Sequence, residues 1–123
     1  MVSLKGKLAL KKLKNKMAKI YINYHPNYTY SMAIIDGFID LREYVYNTDW
    51  LCWAPSPKNQ RQIMISRVRD VPEGEPQIFE RVNEFVKHVE QIGVEVLVRN
   101  ERNEKWLSWD KFLKSREEAN ANI

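Results

Sequence analysis

Ser31-Met-Ala-Ile-Ile-Asp36-Gly37-Phe-Ile-Asp40-Leu-Arg-Glu43-Tyr-Val-Tyr-Asn47 is the stretch on which the fold turns. Two readings compete for it. Asp36-Gly37 between apolar runs is a hairpin dipeptide, because both residues tolerate the positive φ of a tight primed turn. Against it, Asp36, Asp40, Glu43 and Asn47 fall at i, i+4, i+7 and i+11, while Ile34, Ile35, Phe38, Ile39, Leu41 and Val45 fill the opposite side. A strand has no reason to gather its acids at that period. The period predicts a helix over 31–46 with Asp36, Asp40 and Glu43 on its wet face, and Gly37 inside it costs about 1 kcal/mol against alanine. Were the hairpin correct, the fold would become a mostly antiparallel meander.

The flanking segments are easier to read. Toward the N-terminus, Lys19-Ile-Tyr-Ile-Asn-Tyr24 is β-branched and aromatic with alternation, a strand that His25-Pro26 ends. Toward the C-terminus, Trp50-Leu-Cys-Trp53 and Gln62 to Val68 read as two strands joined by the turn-rich Ala-Pro-Ser-Pro-Lys-Asn. The clearest element is a helix over 76–92, where Ile78, Phe79, Val82, Phe85, Val86, Val89 and Ile92 form one apolar stripe and Gly93 is placed to cap it. Val94 to Arg99 alternates as a strand, and Ser108 is placed to cap a last helix from Trp109 to about Arg116. The resulting order, β-α-β-β-α-β, is the split βαβ, ferredoxin-like α+β arrangement, with both helices on one face of an antiparallel sheet. Residues 1–18 form a basic, helix-prone arm, 19–100 the ferredoxin-like domain, and 101–123 a C-terminal extension packed on it with a frayed end.

Charge is distributed unevenly. Residues 1–19 carry seven lysines and no acid, while residues 20–123 carry 13 basic and 16 acidic side chains, so a +7 arm precedes a −3 body. Lys5, Lys7, Lys11, Lys12, Lys14 and Lys16 in the arm call for an anionic partner. Met17 opens Met-Ala-Lys-Ile-Tyr-Ile-Asn-Tyr and is an alternative translation start that would remove most of this charge. The single cysteine, Cys52 between Leu51 and Trp53, permits no internal disulfide and reads as a buried small hydrophobe. No apolar run approaches the ~20 residues of a membrane-spanning helix, and lysines interrupt every Leu cluster of the N-terminus, so a cytoplasmic location is expected.

Catalytic signatures are absent from the sequence. Four unpaired glycines write no phosphate-cradling loop, and His25 and His88 lie in no metal-binding spacing. His88 falls on the polar side of the long helix and is expected to be solvated. No catalytic residue, metal ligand or cofactor is assigned, and an enzyme, with His25 and the acidic stripe Asp36, Asp40 and Glu43 as its only candidates, ranks behind two binding readings.

The leading one is a nucleic-acid contact. If Ile20, Ile22, Val94, Val96 and Val98 face the helices, then Tyr21, Asn23, Leu97 and Arg99 point to the open side, with Arg67 and Arg69 of their strand and one of Trp50 and Trp53. Aromatics interleaved with arginines suit unpaired bases and phosphates, so single-stranded nucleic acid or RNA is favoured. Over about six residues, Ile20-Tyr-Ile-Asn resembles the first strand motif of RNA recognition motif domains, whose aromatic stacks a base. The strand 62–68 lacks that family's Gly and aromatic positions, so nothing is carried over. The alternative is a protein-binding modulator, inhibitor or accessory subunit of a larger assembly, using Trp106, Trp109, Asp36, Asp40 and Glu43. The C-terminal aromatics also have a plainer use, covering the open face as core.

Overall fold

The structure is a computed structural model that describes residues 18–25, 30–54, 61–66, 75–100 and 104–121. Its elements are β1 (Lys19–Asn23), β2 (Tyr30–Asp36), α1 (Arg42–Tyr46), β3 (Leu51–Ala54), β4 (Arg61–Ser66), α2 (Glu75–Gln91), β5 (Glu95–Arg99), β6 (Leu107–Ser108) and α3 (Trp109–Ala121). The fold is α+β. Six strands form one mixed sheet in the order β3-β4-β2-β1-β5-β6, in which only the β1–β5 pair is parallel.

The ferredoxin-like order is not matched, and the reason lies in residues 31–46. Residues 30–36 form a strand wedged between β1 and β4, in place of the first half of the expected helix. Gly37 then breaks the chain at φ 99°, and helix survives only over 42–46. Asp36 and Gly37 end β2 but do not turn it into a hairpin; the β2 hairpin partner is β1, on its other side. Neither sequence reading therefore describes the whole stretch. Because a residue with a Cβ is disfavoured at this φ by about 1–2 kcal/mol, Gly37→Ala is expected to lower stability by that amount, read as a fall in the urea midpoint.

The core lies on one face of the sheet. Ile20 stands opposite Ile35 and Val96, Ile22 opposite Ala33 and Val98, Ala33 opposite Ile63, and Ser31 opposite Ile65; all nine are buried. Onto this face α2 lays Ile78, Val82, Phe85, Val86 and Val89, all fully enclosed, as the 3.6-residue stripe requires. Its C-terminus closes as a Schellman motif: the Gly93 N–H donates to the Glu90 carbonyl (3.0 Å) and the Val94 N–H to the Val89 carbonyl (3.0 Å), with Gly93 at φ 89°. The other two helices share that side. Tyr44 of α1 stacks on His88 with centroids 3.6 Å apart, and Trp109 of α3 stacks on Phe79 at 6.0 Å. His88 thus lies under a ring and is half-buried rather than fully solvated, and this burial holds its pKa below the ordinary histidine value. Burial and the nearby Glu84 push the Tyr44 phenol up to about 12. Among the described residues, no helix is long and apolar enough to cross a membrane.

Candidate functional site

The three helices among the described residues lie on one side of the sheet, and strand alternation turns a second set of side chains to the other. Two rows of residues cross it. One runs Cys52, Met64, Met32, Asn23, Arg99, and the second runs Ala54, Gln62, Ile34, Tyr21, Leu97, Ser108. Met32, Ile34, Met64, Leu97 and Tyr21 are half-buried, and no helix among the described residues lies over them.

Toward the β5–β6 side this face carries a small aromatic and cationic cluster. The Tyr21 and Trp106 rings meet edge-to-face with centroids 5.1 Å apart. The Arg99 guanidinium lies over the Trp106 indole, 4.1 Å from its centroid, and its Nε donates to Oδ1 of Asn23 at 2.8 Å. Tyr21, Asn23 and Arg99 come together because β1 and β5 pair in parallel, with Asn23 opposite Arg99 and Tyr21 opposite Leu97. Trp106 reaches them from just before β6. A guanidinium held over an indole and bonded to an amide oxygen is preorganised, so little rotamer freedom remains to be lost when it meets an anion or a base.

The sequence placed Tyr21, Asn23, Leu97 and Arg99 on this face, and there they are. It expected a tryptophan from 50–53 beside them, and that is corrected. Trp50 is buried in the turn before β3, with the Arg81 guanidinium 5.3 Å from its ring centroid. Trp53 stands opposite Ile63 and therefore belongs to the helix-covered side, where Arg61 lies 5.4 Å over it. The tryptophan on the open face is Trp106, which the sequence offered only as a protein anchor or as core. No local pattern pointed to it, because β6 is only two residues long and Trp106 lies just before it. Cys52 is likewise corrected: its alternation with buried Leu51 at the sheet edge leaves it exposed.

The C-terminal helix does not cover the open face. Trp109 and Phe112 are buried on the helix side, where Phe112 meets Tyr24 edge-to-face at 5.4 Å and Trp109 stacks on Phe112 at 5.2 Å. Arg116 lies 3.8 Å over Phe79. Asp36, Asp40 and Glu43, expected on one helical face, instead sit at the end of β2, in the loop after it and in the first turn of α1, all exposed. Asp40 is engaged: the Arg42 guanidinium donates to both its carboxylate oxygens, at 3.1 and 3.0 Å, and holds its pKa down to about 2. Lys5, Lys7, Lys11, Lys12, Lys14, Lys16, Arg67 and Arg69 lie outside the described residues.

Elsewhere, Glu90 near the end of α2 has its carboxyl pushed up by burial and by Asp110 of α3. The two acids border a shallow groove with Glu95, and among the described residues no group of His, Cys, Asp and Glu is placed to hold a metal ion. The sequence matches no family model, no curated protein and no solved structure.

Proposed function

We propose that this chain binds single-stranded nucleic acid, RNA above all, on the open face of its sheet, with the lysine arm supplying sequence-independent contacts to phosphates. The observation that carries the reading is the Tyr21–Trp106–Arg99–Asn23 cluster on a sheet face that no described helix covers. Unpaired bases have two apolar π-faces, and an aromatic–guanidinium surface offers both stacking and charge. The half-buried Leu97, Ile34 and Met32 continue that surface as an apolar floor for further bases. A duplex hides its bases and would meet only the charges, so it is expected to bind more weakly at equal charge.

Fluorescence anisotropy with a labelled single-stranded RNA and the matching duplex tests this. Tyr21→Ala and Trp106→Ala are each expected to weaken the single strand by about tenfold, since base–aromatic stacking is worth about 1–3 kcal/mol, and to change duplex binding little. Arg99→Ala should also flatten the log–log salt dependence by about 0.7. Equal losses for single strand and duplex would mean that the face does not read bases. A second reading, the protein-binding modulator or accessory subunit, rests on a different surface: Phe38 and Tyr46 are 86% and 89% exposed, far more than isolated surface aromatics need be. It takes over if neither nucleic acid binds at moderate ionic strength.

A further inference from the structure

We propose that β3 is a pairing edge, through which two copies of this chain join their sheets about a twofold axis at Cys52. The two ends of the sheet are built differently. At one end β6 is only two residues long and runs straight into α3. At the other, β3 is Leu-Cys-Trp-Ala, with no charge and no proline in the strand. Strand edges that stay unpaired carry lysine, proline or a bulge, because bare backbone N–H and C=O groups recruit another strand.

The backbone says which groups are available. In an antiparallel ladder alternate residues turn both backbone groups to the same side. The Leu51 N–H is given to the Thr48 carbonyl at 3.1 Å, not to β4. Leu51 and Trp53 therefore face outward, while Cys52 and Ala54 bond β4. Pairing Cys52 with Cys52 of a second copy sets Trp53 opposite Leu51 of that copy, so each Trp53 N–H donates to a Leu51 carbonyl across the axis. Trp53, 40% exposed, gains cover on the helix side.

Charge favours a second copy over an unrelated strand. Exposed Asp49 precedes β3, and Arg61 begins β4 beside the far end of β3. An antiparallel twofold axis brings the start of one β3 to the end of the other, so Asp49 of each copy approaches Arg61 of its mate. In this orientation the edge is complementary to itself. It is independent of the nucleic-acid reading.

The test uses the full-length chain. Sedimentation velocity over a concentration series should show a reversible monomer–dimer equilibrium, weak because the contact is small. In the paired register the two Cys52 residues form a non-hydrogen-bonded pair, with Cα atoms about 4.5 Å apart, inside the range a disulfide spans. Mild copper-catalysed air oxidation should then yield a covalent dimer, and Cys52→Ser none. Cys52→Lys, at an exposed position, should leave a folded monomer that no longer associates. Asp49→Arg and Arg61→Asp should each weaken association by about tenfold and the double swap should restore it, which keeps the test valid even if the lysine variant fails to fold. A chain that stays monomeric to about 1 mM overturns the proposal. So does a dimer that neither cross-links at Cys52 nor responds to the charge swap.

Discussion

Phe85→Ala is expected to destabilise the protein by about 3–5 kcal/mol, the range for deleting a fully enclosed phenylalanine. Phe85 is 0% exposed at the middle of α2, between the sheet and α1, with Tyr44 6.4 Å from its ring centroid. Two losses add there: the apolar surface is no longer kept from water, and the cavity cannot collapse, because α2 is held at one end by its Schellman cap and along its length by four other buried side chains. Small domains have only about 5–15 kcal/mol in all, so the variant should sit near the edge of folding. Urea denaturation should show a large fall in midpoint with an unchanged slope. Phe85→Leu, which keeps most of the volume, should cost less than about 1.5 kcal/mol. A loss below 1 kcal/mol for the alanine variant would mean that Phe85 is not enclosed and that α2 is not the keystone of the core.

That helix was legible because its two sides differ. Ile78, Val82, Phe85, Val86 and Val89 face the sheet while Glu80, Glu84 and Lys87 face water, so period and polarity agree. The strand β2 fails the same test for a physical reason. Its buried residues Ser31, Ala33 and Ile35 include a serine, and its outward residues Met32 and Ile34 are apolar, because they belong to the open face. With both faces apolar, the alternation that marks a strand is erased. The acids then supplied a period that belongs to no single element: Asp36 ends a strand, Asp40 grips Arg42 in a loop, and Glu43 opens a short helix. The same apolar outer face that disguised β2 is what extends the Tyr21 cluster across the sheet.

The site was half legible. Alternation in β1 and β5 places Tyr21, Asn23 and Arg99 on one side whatever the rest of the topology, since side chains in a strand switch faces at every residue. Their meeting depends on the parallel register that puts Asn23 beside Arg99, and pairing partners so distant in sequence leave no local trace. Trp106 was invisible as a member for the same reason. Its place follows from β6, a two-residue strand too short to carry a pattern.

Replacing Lys5, Lys7, Lys11, Lys12, Lys14 and Lys16 with glutamine in the full-length chain is expected to remove most of its salt-dependent affinity for nucleic acid and leave its base preference intact. Lysine is a point charge with no planar edge for a base, so the arm contributes through release of counterions from phosphates. On a single strand each such contact contributes about 0.7 to the log–log salt slope, so six substitutions should flatten it by about 4 if all six lysines engage. At that slope the unsubstituted chain loses roughly 300-fold in affinity for a single strand between 50 and 200 mM salt, and the substituted chain should show little of that decline. The body beyond residue 19 carries a formal −3, so it has no excess of positive charge to compensate. What remains should be weak binding by Tyr21, Trp106 and Arg99 with only a shallow salt dependence, detectable as a preference for single strand over duplex that Trp106→Ala then abolishes. Measuring both slopes on both chains separates the arm from the face. An unchanged slope would assign the phosphate contacts elsewhere, to Arg99 and the arginines at 67 and 69. A slope lost together with the single-strand preference would instead make the arm the whole binding element and leave the aromatic face without a part in it.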